Sequence, residues 1–392
     1  MKLWEKGDPL DKQIEAFTVG EDYLLDQKLV KYDCLASIAH AKMLARIGML
    51  TAAEAQKLTD TLKEIIQLHQ QGNFPLRREQ EDCHTAIENL LTQKLGDIGK
   101  KIHTARSRND QVLTALRLYY KDAEKELERQ VQEFNSAISQ FVKKYGRIKL
   151  PGYTHSRKAM PSSIRLWGRA FIDGMRENLK VLALAGELND QSPLGTGAGY
   201  GLPIKLDRRY TAQLQGFKRV QKNPIHVQLS RGKFESTLVH ALSQIMHDLN
   251  RLASDLILFS MPEFGFFQLP AAFCTGSSIM PQKQNPDVLE LLRAKYHAVV
   301  AYEMQIKNTV ANLTTGYHRD VQLTKEPTMK SLEITHSCLA ISILIFSQLQ
   351  VDKKKCHQAL TAELYATEEV YKLVKQGVPF REAYQMVAKK FR

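Results

Sequence analysis

The densest cluster of chemically capable side chains in this sequence lies in the segment 276–286, which reads GSSIMPQKQNP. It combines two adjacent serines, a lysine six positions after the first serine, and an Asn-Pro pair. Asn285 and Pro286 could simply cap the helix that follows, since both residue types favour a helix start. Capping does not require Ser277 and Lys283 nearby. The pattern therefore favours a functional loop mounted at the start of a helix.

The elements that must position this loop are long helices. Among the long segments that lack both glycine and proline are 101–145, 233–261 and 287–315. In the first, apolar residues recur in alternating steps of three and four from Leu116 to Tyr145, and the second has the same period, which is helical. Helices of roughly 60 Å, at 1.5 Å per residue, need partners along their whole length. We therefore predict a helical bundle extended by oligomerisation.

The connections between these helices are rich in glycine and proline, and they are 150–155, 192–203 and 265–286. No segment keeps a period-two alternation, so we predict an all-α fold without a substantial sheet. The run 195–201 (GTGAGYG) has glycines spaced like a phosphate loop but lacks the following lysine. We interpret it as a tight, packed connection.

Three domains are expected in sequence order: an N-terminal helical domain (1–105), a central long-helix bundle (106–350) and a shortened C-terminal helical domain (351–392). The boundaries follow the ends of the long glycine- and proline-free segments.

The net charge of +13 is dispersed, with only short runs of lysine such as 353–355. Nucleic-acid-binding proteins usually concentrate basic residues and interleave aromatic ones for stacking, so we expect no nucleic-acid partner. Most of the excess is expected on solvated helix faces. A secondary benefit would be steering of an anionic substrate into a cationic cleft.

Five scattered cysteines without a CxxC pair favour reduced thiols in the cytoplasm over disulfides or a zinc ribbon. The N-terminus has no apolar signal region. The most apolar run, 339–346, is too short to cross a bilayer, so no membrane association is expected. No metal-ligand spacing or dinucleotide fingerprint occurs. We therefore expect neither metal nor organic cofactor.

The segment 276–286 resembles the long, specific loop Gly-Ser-Ser-x-Met-Pro-x-Lys-x-Asn-Pro of the fumarase/aspartase superfamily, and its Pro-Gln-Lys is similar to the argininosuccinate lyase branch. Further segments similar to that family are Lys2-Leu-Trp, Asp33 with 37–40 (SIAH), 81–84 (EDCH), 103–112 (HTARSRNDQV), 151–155 (PGYTH) and 317–325 (YHRDVQLTK). The resemblance spans essentially the whole chain. It implies the superfamily's all-α fold, with a 20-helix core formed in a homotetramer whose active sites are each shared by three protomers.

The resemblance also implies a reaction, the reversible β-elimination of argininosuccinate to arginine and fumarate in arginine biosynthesis. A proton leaves the carbon beside a carboxylate while the C–N bond on the neighbouring carbon breaks. Such a reaction needs a base for a weakly acidic C–H, cations to stabilise the dianion that forms, and a proton donor for the departing nitrogen.

Four catalytic residues carry over from the family. Ser277 is implied as the base, and Lys283 with the nearby helix N-terminus would make its hydroxyl acidic once the loop closes. His155 is implied on the other side of the substrate, paired with Glu290, which would orient the imidazole and raise its basicity.

The implied substrate-binding residues are suited to carboxylates and an arginine-like group. They are Thr18, Ser107, Arg108, Asn109, Thr154, Asn285, Tyr317, Gln322 and Lys325. Three of them, Ser107 to Asn109, lie at a helix N-terminus, which favours anions; capping with a salt bridge is the alternative role. Thr18 stands where the family usually has serine, and keeps the hydroxyl. His84 is a possible further member, with a structural role equally open.

Several positions depart from the family pattern. Arg157 replaces a neutral residue beside His155, Met160 lies nearby in the same block, and His318 replaces an asparagine. The chain also ends soon after 377–384, where relatives usually continue. Two alternatives therefore stay open: another lyase of the superfamily with a shifted substrate, and a catalytically silent structural homologue like the lens crystallins.

Overall fold

A computed structural model of the chain describes residues 10–391, most of them helical. The α-helices are α1 (Lys12–Val19), α2 (Asp22–Leu25), α3 (Val30–Arg46), α4 (Ala52–Gln70), α5 (Cys83–Leu95), α6 (Asp97–Lys100), α7 (Arg108–Tyr145), α8 (Ile164–Asn189), α9 (Arg208–Leu214), α10 (Pro224–Leu229), α11 (Lys233–Ser260), α12 (Asp287–Val310), α13 (Lys325–Gln348), α14 (Lys353–Gln358), α15 (Ala366–Lys375) and α16 (Phe380–Ala388). The Lys2-Leu-Trp motif lies outside the described residues.

Six short strands form three two-stranded sheets. They are β1 (Lys149–Thr154) with β2 (Arg157–Ser163), antiparallel; β3 (Gln191–Ser192) with β4 (Arg219–Val220), parallel; and β5 (Phe267–Gln268) with β6 (Gln350–Val351), antiparallel. The predicted all-α class is confirmed, because these sheets are small connections between helices.

The three segments predicted to form long helices contain α7, α11 and α12. Residues 10–391 contain two further long helices that the sequence analysis did not single out, although the segment 328–376 also lacks glycine and proline. One is α8, which contains glycines, and the other is α13, which has Pro327 in its first turn, where a missing N–H is tolerated.

The glycines of α8 are explained by close approach. A Cβ at Gly168 would lie 2.6 Å from Cγ2 of Val142, and one at Gly186 would lie 2.9 Å from Oε2 of Glu124. Both neighbours are on α7. Glycine lets the two helices pack more closely there than any side chain would allow, at a modest entropic cost.

The chain divides into two compact units, each assembled from three stretches. Unit 1 comprises Met1–Glu126, Leu182–His240 and Ala301–Lys330, and unit 2 comprises Leu127–Val181, Ala241–Val300 and Ser331–Arg392. The five long helices α7, α8, α11, α12 and α13 contribute residues to both units. The division into three domains in sequence order stays a prediction.

In unit 1, α3 and α4 form an antiparallel helical pair. Thr51 and Glu54 form a reciprocal capping box that starts α4, with Glu54 N donating to Thr51 Oγ1 (3.2 Å) and Thr51 N donating to Glu54 Oε2 (2.9 Å). Leu58, Leu62 and Ile65 follow at helical spacing and are fully buried.

Unit 2 has a core of aromatic rings. Trp167 on α8 lies 4.9 Å from Phe267 and 6.3 Å from Phe346, between ring centroids, and Phe141 on α7 lies 5.4 Å from Phe346. The indole N–H of Trp167 has a hydrogen-bond partner in this apolar cluster, because Nε1 donates to Asp255 Oδ2 (2.9 Å). The pairing of β5 with β6 holds Phe267 in this cluster.

The apolar run 339–346 belongs to a longer apolar segment than expected. Arg319–Gln348 is long and apolar enough to cross a membrane by length and composition, and half of its most apolar window is buried within the protein. Core helices of globular proteins pass the same test, so this is weak support for a membrane span.

Glu124 on α7 is a largely buried acid in unit 1, and its Oε1 has no hydrogen-bond partner. Burial raises the pKa of Glu124 to about 8; the nearby Lys121 lowers it and Asp190 raises it. The folded protein therefore holds a proton that the unfolded chain releases near pH 4.5, so this carboxyl makes the protein less stable as pH rises from about 4.5 to about 8.

We predict that Glu124→Gln removes the loss of stability that Glu124 causes as the pH rises. The free energy of unfolding of the variant should exceed that of the wild type increasingly between pH 5 and pH 8, by up to about 1.4 kcal/mol per pH unit. Urea unfolding at several pH values measures the difference. Glu128→Gln, on the exposed face of the same helix, is the control and should show no such trend. A constant difference across this range would contradict the prediction.

Candidate active site

Unit 1 contains a cavity of about 200 Å³ to which separate segments of the chain contribute. Six predicted site residues line it: His84, Arg108, Asn109, Tyr317, Gln322 and Lys325. The other lining residues are Val19, Asp22, Asp26, Glu81, Asp82, Val112, Arg231 and Arg319. The wall thus carries both cations and carboxylates, which suits a ligand with charges of both signs.

Lys325 begins α13 and is buried at the cavity wall. Its Nζ donates to Asp26 Oδ1 (2.7 Å) and lies 3.1 Å from Asp22 Oδ2. Burial by itself lowers the pKa of a lysine, but the two carboxylates outweigh it and hold the pKa of Lys325 above its ordinary value. Burial likewise raises the pKa of a carboxyl, yet the ammonium of Lys325 keeps the pKa of Asp26 low. Lys325 is therefore a fixed positive charge.

Arg108 begins α7 and is held by the acidic segment before α5. Its Nη1 donates to Glu81 Oε2 (3.0 Å), and its Nε lies 3.3 Å from Asp82 Oδ2. Burial lowers the pKa of Arg108, but Asp82 and Glu81 raise it overall. Glu81 has a left-handed backbone (φ 65°), a conformation that non-glycine residues adopt only when their surroundings hold them there.

Ser107 caps α7, which was the alternative role considered for it. Its Oγ accepts from Asn109 N (3.3 Å), and its own N–H donates to Asp110 Oδ1 (3.0 Å). Asn109 keeps its side chain at the cavity wall. The helix therefore starts at residue 108, later than the glycine- and proline-free segment, whose first residues 101–103 form a 3₁₀ turn.

The glycine run 195–201 binds an internal carboxylate. The N–H groups of Gly195 and Gly197 donate to Asp110 Oδ2 at 2.9 and 2.8 Å. Burial raises the pKa of Asp110 to about 6, and the three backbone N–H donors, from Gly197, Ser107 and Gly195, oppose that rise. These bonds support a tight packed connection, because the amides that a phosphate would use are already occupied.

His84 lies beneath the cavity in a buried network. Its Nδ1 is 3.2 Å from Asp33 Oδ2, and Gln111 Nε2 donates to both oxygens of Asp33 (2.9 and 3.1 Å). Burial lowers the pKa of a histidine, but Asp33 and the neighbouring carboxylates raise the pKa of His84 overall. His84 thus both lines the cavity and belongs to the buried network that supports it, so its two possible roles, in substrate binding and in structure, stay open.

Among residues 10–391, Asp26, Cys83 and His84 form the group whose donor atoms lie close enough together to hold a metal ion. Asp26 already accepts from Lys325 Nζ and from Cys83 N (3.0 Å), and burial raises the pKa of the Cys83 thiol well above its ordinary value. A protonated thiol beside a paired carboxylate is a poor metal site.

Thr18 reaches the same region through its backbone. Its carbonyl oxygen accepts from Gln322 Nε2 (3.3 Å) and from Arg319 Nη2 (2.9 Å). The Thr18 hydroxyl donates to Ile14 O (2.9 Å) within α1. Gln322 also accepts from Arg319 Nε, at its Oε1 (3.0 Å). These bonds tie the start of the chain to the turn before α13.

Unit 2 carries the remaining predicted residues on two exposed connections. Thr154 and His155 lie at the tip of the β1–β2 hairpin, where the sequence had suggested an irregular connection. His155 and Ser156 form its turn with φ values of 51° and 57°. Arg157 pairs with Thr154 in the strand register. Two consecutive non-glycine residues with positive φ store backbone strain, which is common at functional sites.

The loop 276–284 is closed at its neck by a pair of backbone hydrogen bonds between Thr275 and Asn285 (3.0 and 2.8 Å). Inside it, Ser277 Oγ accepts from the N–H groups of Ile279 (3.3 Å) and Met280 (3.1 Å). Asn285 Nδ2 donates to Gly276 O (3.3 Å). Lys283 is exposed, and Glu290, one turn into α12, is also exposed.

The pairing of His155 with Glu290 stays a prediction. Within the described part of a single chain, no hydrogen bond joins the two side chains. The roles of Ser277, Lys283 and Asn285 stay predictions in the same way.

Two residues of the cavity escaped the sequence analysis. Asp26 was not singled out, although Asp22 and Asp26 have the i, i+4 spacing that places two carboxylates on one helical face. Arg231 lies between α10 and α11 in a Ser-Arg-Gly segment with no distinctive pattern. Only the fold brings it to Tyr317, with its guanidinium 5.5 Å from the ring centroid.

We predict that Asp26→Asn destabilises the protein by about 3 kcal/mol, because removing one partner of a buried ion pair leaves a poorly compensated charge. Chemical denaturation measures the change. The matched control is Asp97→Asn, which removes an exposed carboxylate paired with Lys100 and should leave stability essentially unchanged. Equal effects of the two substitutions would refute a structural role for the Asp26–Lys325 pair.

A comparison of structures identifies the same fold in two solved proteins. EDDS lyase in complex with formate has a TM-score of 0.80 and 24% identity, covering 97% of this chain and 76% of that chain. A fumarate lyase:delta crystallin from Brucella melitensis, bound to cobalt, has a TM-score of 0.77 and 18% identity, covering 94% and 85%. At these identities the likeness concerns the fold alone.

Sequence comparisons are more specific. A family model described as lyase matches residues 5–301. The argininosuccinate lyase of Thermotoga neapolitana is 53% identical over 390 residues, covering 100% of this chain and 98% of that protein. That of Sorangium cellulosum is 42% identical over 388 residues, covering 99% and 90%. This chain therefore belongs to the argininosuccinate lyase family of the fumarase/aspartase superfamily.

Proposed function

We propose that this lyase catalyses the reversible β-elimination of argininosuccinate to arginine and fumarate, the reaction named by its relatives. The observation that carries the proposal is the unit 1 cavity, where Arg108, Asn109, Tyr317, Gln322 and Lys325 converge from separate segments of the chain. These are residues that the family likeness had independently assigned to the substrate. The reaction belongs to arginine biosynthesis, and we propose a cytoplasmic location.

Removal of the C–H proton is assigned to Ser277. A serine hydroxyl is too weak an acid to supply an alkoxide at neutral pH without help. In the open loop its Oγ already accepts two backbone N–H bonds, from Ile279 and Met280, and such bonds stabilise negative charge on oxygen. Closure of the loop over substrate would add the ammonium of Lys283 and exclude water. The ammonium lowers the pKa of the hydroxyl, and its attraction for the alkoxide grows once water is excluded, which offsets the rise in pKa that burial alone would cause.

Departure of the guanidino nitrogen needs a proton from the opposite side of the substrate. His155 is assigned to this step, directly or through water, with Glu290 orienting its imidazole. The turn geometry supports the assignment. His155 and Ser156 have positive φ values at the tip of a hairpin whose two strands are paired, and this arrangement fixes the backbone that carries the imidazole. Thr154 and Asn285 are assigned to the carboxylates of the reacting succinyl group.

The cavity is assigned to the arginine end of the substrate. That end carries a carboxylate and an ammonium on one carbon, and the wall offers the fixed cations and carboxylates that such a zwitterion requires. Thr18 and Ser107 adjoin the same wall through Gln322 and Asn109.

We further propose a homotetramer in which each active site is built from three protomers. Each chain supplies five long helices, so four chains would form the 20-helix core of the superfamily. Large apolar side chains are exposed on these helices, among them Leu166 (66% exposed), Leu184 (57%) and Leu291 (61%). A monomer rarely leaves such side chains in water along a helix that a partner could cover.

The experiment for the reaction follows fumarate absorbance with argininosuccinate, adenylosuccinate, aspartate and malate as separate substrates. We expect release from argininosuccinate alone. Release from one of the others instead would establish a shifted substrate, and no release from any by a folded oligomer would establish a silent structural homologue.

We predict that Ser277→Ala lowers kcat for argininosuccinate by roughly a thousandfold, the order expected for loss of a general base. The KM should change little, since the substrate contacts remain. Ser278→Ala, which removes the adjacent exposed hydroxyl of the same loop, is the matched control and should retain most of the activity. Similar kcat values for the two variants would exclude Ser277 as the base.

Shared active sites predict complementation between inactive variants. Ser277→Ala and His155→Asn should each be inactive, but unfolding and refolding them together should restore activity at about a quarter of the sites, those that receive both native residues from different chains. Refolding each variant alone is the control. If the mixture stayed as inactive as its components, the two residues would not come from different protomers.

A further inference from the structure

Arg231 is a buried arginine at the cavity wall, and two of its three guanidinium nitrogens make no hydrogen bond within residues 10–391. It is 5% exposed and lies between α10 and α11, where Gly232 adopts φ 78° to begin the longer helix. The two nitrogens without a hydrogen bond to the described residues are Nε and Nη1. Cζ of the guanidinium lies over the face of the Tyr317 ring, 5.5 Å from its centroid. A cation buried without an acceptor is costly unless a ligand supplies one.

The other cations of the cavity wall already have acceptors. Lys325 is bound by Asp26 and Asp22, and Arg108 by Glu81 and Asp82. Arg319 donates to Thr18 O and to Gln322 Oε1. Among the described residues that line this cavity, Arg231 is therefore the cation whose buried guanidinium nitrogens include two that make no hydrogen bond.

We propose that Arg231 binds the α-carboxylate at the arginine end of the substrate. This inference rests on the proposed reaction, which assigns the succinyl end to the loop of Ser277. A guanidinium matches a carboxylate because it presents several N–H donors in a rigid plane. The ring of Tyr317 holds that plane from one face. Arg231 is thus a specificity-determining residue for an amino acid, as distinct from an amine.

Agmatine provides the test, because it is arginine without the α-carboxylate. Calorimetry with arginine and agmatine as probes measures binding to the full-length protein without requiring turnover. We expect the wild type to bind arginine at least about tenfold more tightly than agmatine, the order for hydrogen bonds to a charged group. Equal affinities would overturn the proposal whatever any variant did.

The key variant is Arg231→Met, which keeps much of the side-chain length and removes the charge. Arginine affinity should fall by about tenfold while agmatine affinity stays nearly constant, so that the preference for arginine disappears. If the variant lost both ligands equally, Arg231 would have only a structural role. If it kept the wild-type preference, the carboxylate would bind elsewhere. Either result would overturn the proposal.

Two further variants complete the design. Arg219→Met removes an exposed arginine of the same unit, 4.0 Å from Glu187, and should keep the wild-type preference. If Arg231→Met does not fold, Arg231→Lys is measured in its place. An ammonium cannot form the two parallel hydrogen bonds that a planar guanidinium makes with a carboxylate, so the preference for arginine over agmatine should fall. An undiminished preference would count against the proposal.

Turnover separates this inference from the reaction itself. In the direction of synthesis, Arg231→Met should raise the KM for arginine and leave the KM for fumarate unchanged. A rise in the KM for fumarate instead would move Arg231 to the succinyl end. A wild type that binds arginine over agmatine but forms no argininosuccinate would refute the proposed function while leaving the role of Arg231 standing.

Discussion

A charge removed from water needs a compensating charge, and this requirement organises the unit 1 cavity. Lys325 is held between Asp26 and Asp22, and Arg108 is held between Glu81 and Asp82. Each pair brings a helix start against a segment far away in the chain. Burying either cation without its carboxylates would cost several kcal/mol, of the order of 3–5 kcal/mol for a broken buried pair. The same rule makes Arg231 stand out, since its donors are buried without such a partner.

Helix ends supply the geometry for this arrangement. Ser107 caps α7 and so fixes the positions of Arg108 and Asn109 in its first turn. Asp110 holds the glycine run 195–201 in place, because its carboxylate accepts from the N–H groups of Gly195 and Gly197. The cavity wall is therefore set by backbone hydrogen bonds as much as by ion pairs. Side chains held on such a frame would lose little conformational entropy on binding a ligand.

The two connections in unit 2 combine fixed bases with free tips. Thr275 and Asn285 form backbone hydrogen bonds that close the loop 276–284, which contains Ser277. In the other connection, β1 pairs with β2 up to the turn that contains His155. In a single chain His155 is exposed and Ser277 is half-buried, which is consistent with sites completed by neighbouring chains. The exposed hydrophobic side chains of the long helices point in the same direction.

Much of the architecture could be predicted from local pattern. The helical period over 101–145, 233–261 and 287–315 predicted α7, α11 and α12, because a continuous apolar stripe without breakers has few other solutions. The segment 101–145 begins before α7, since its first residues form a 3₁₀ turn, whereas Ser107 to Asn109 mark the helix start as predicted. The absence of glycine was a poor criterion for α8, whose glycines admit Val142 and Glu124.

What the amino-acid order determined by itself was the helical class and the family, because periodicity and long motifs are properties of neighbouring positions; the reactive residues that it predicts follow from the same motifs. Tertiary structure alone decided which of the buried cations in the described part of the chain have a carboxylate partner and which have none. Arg231 sits in an unremarkable Ser-Arg-Gly segment, and Asp26 in a short helix. Their importance arises from distances across the fold, to Tyr317 and to Lys325, that no local pattern encodes.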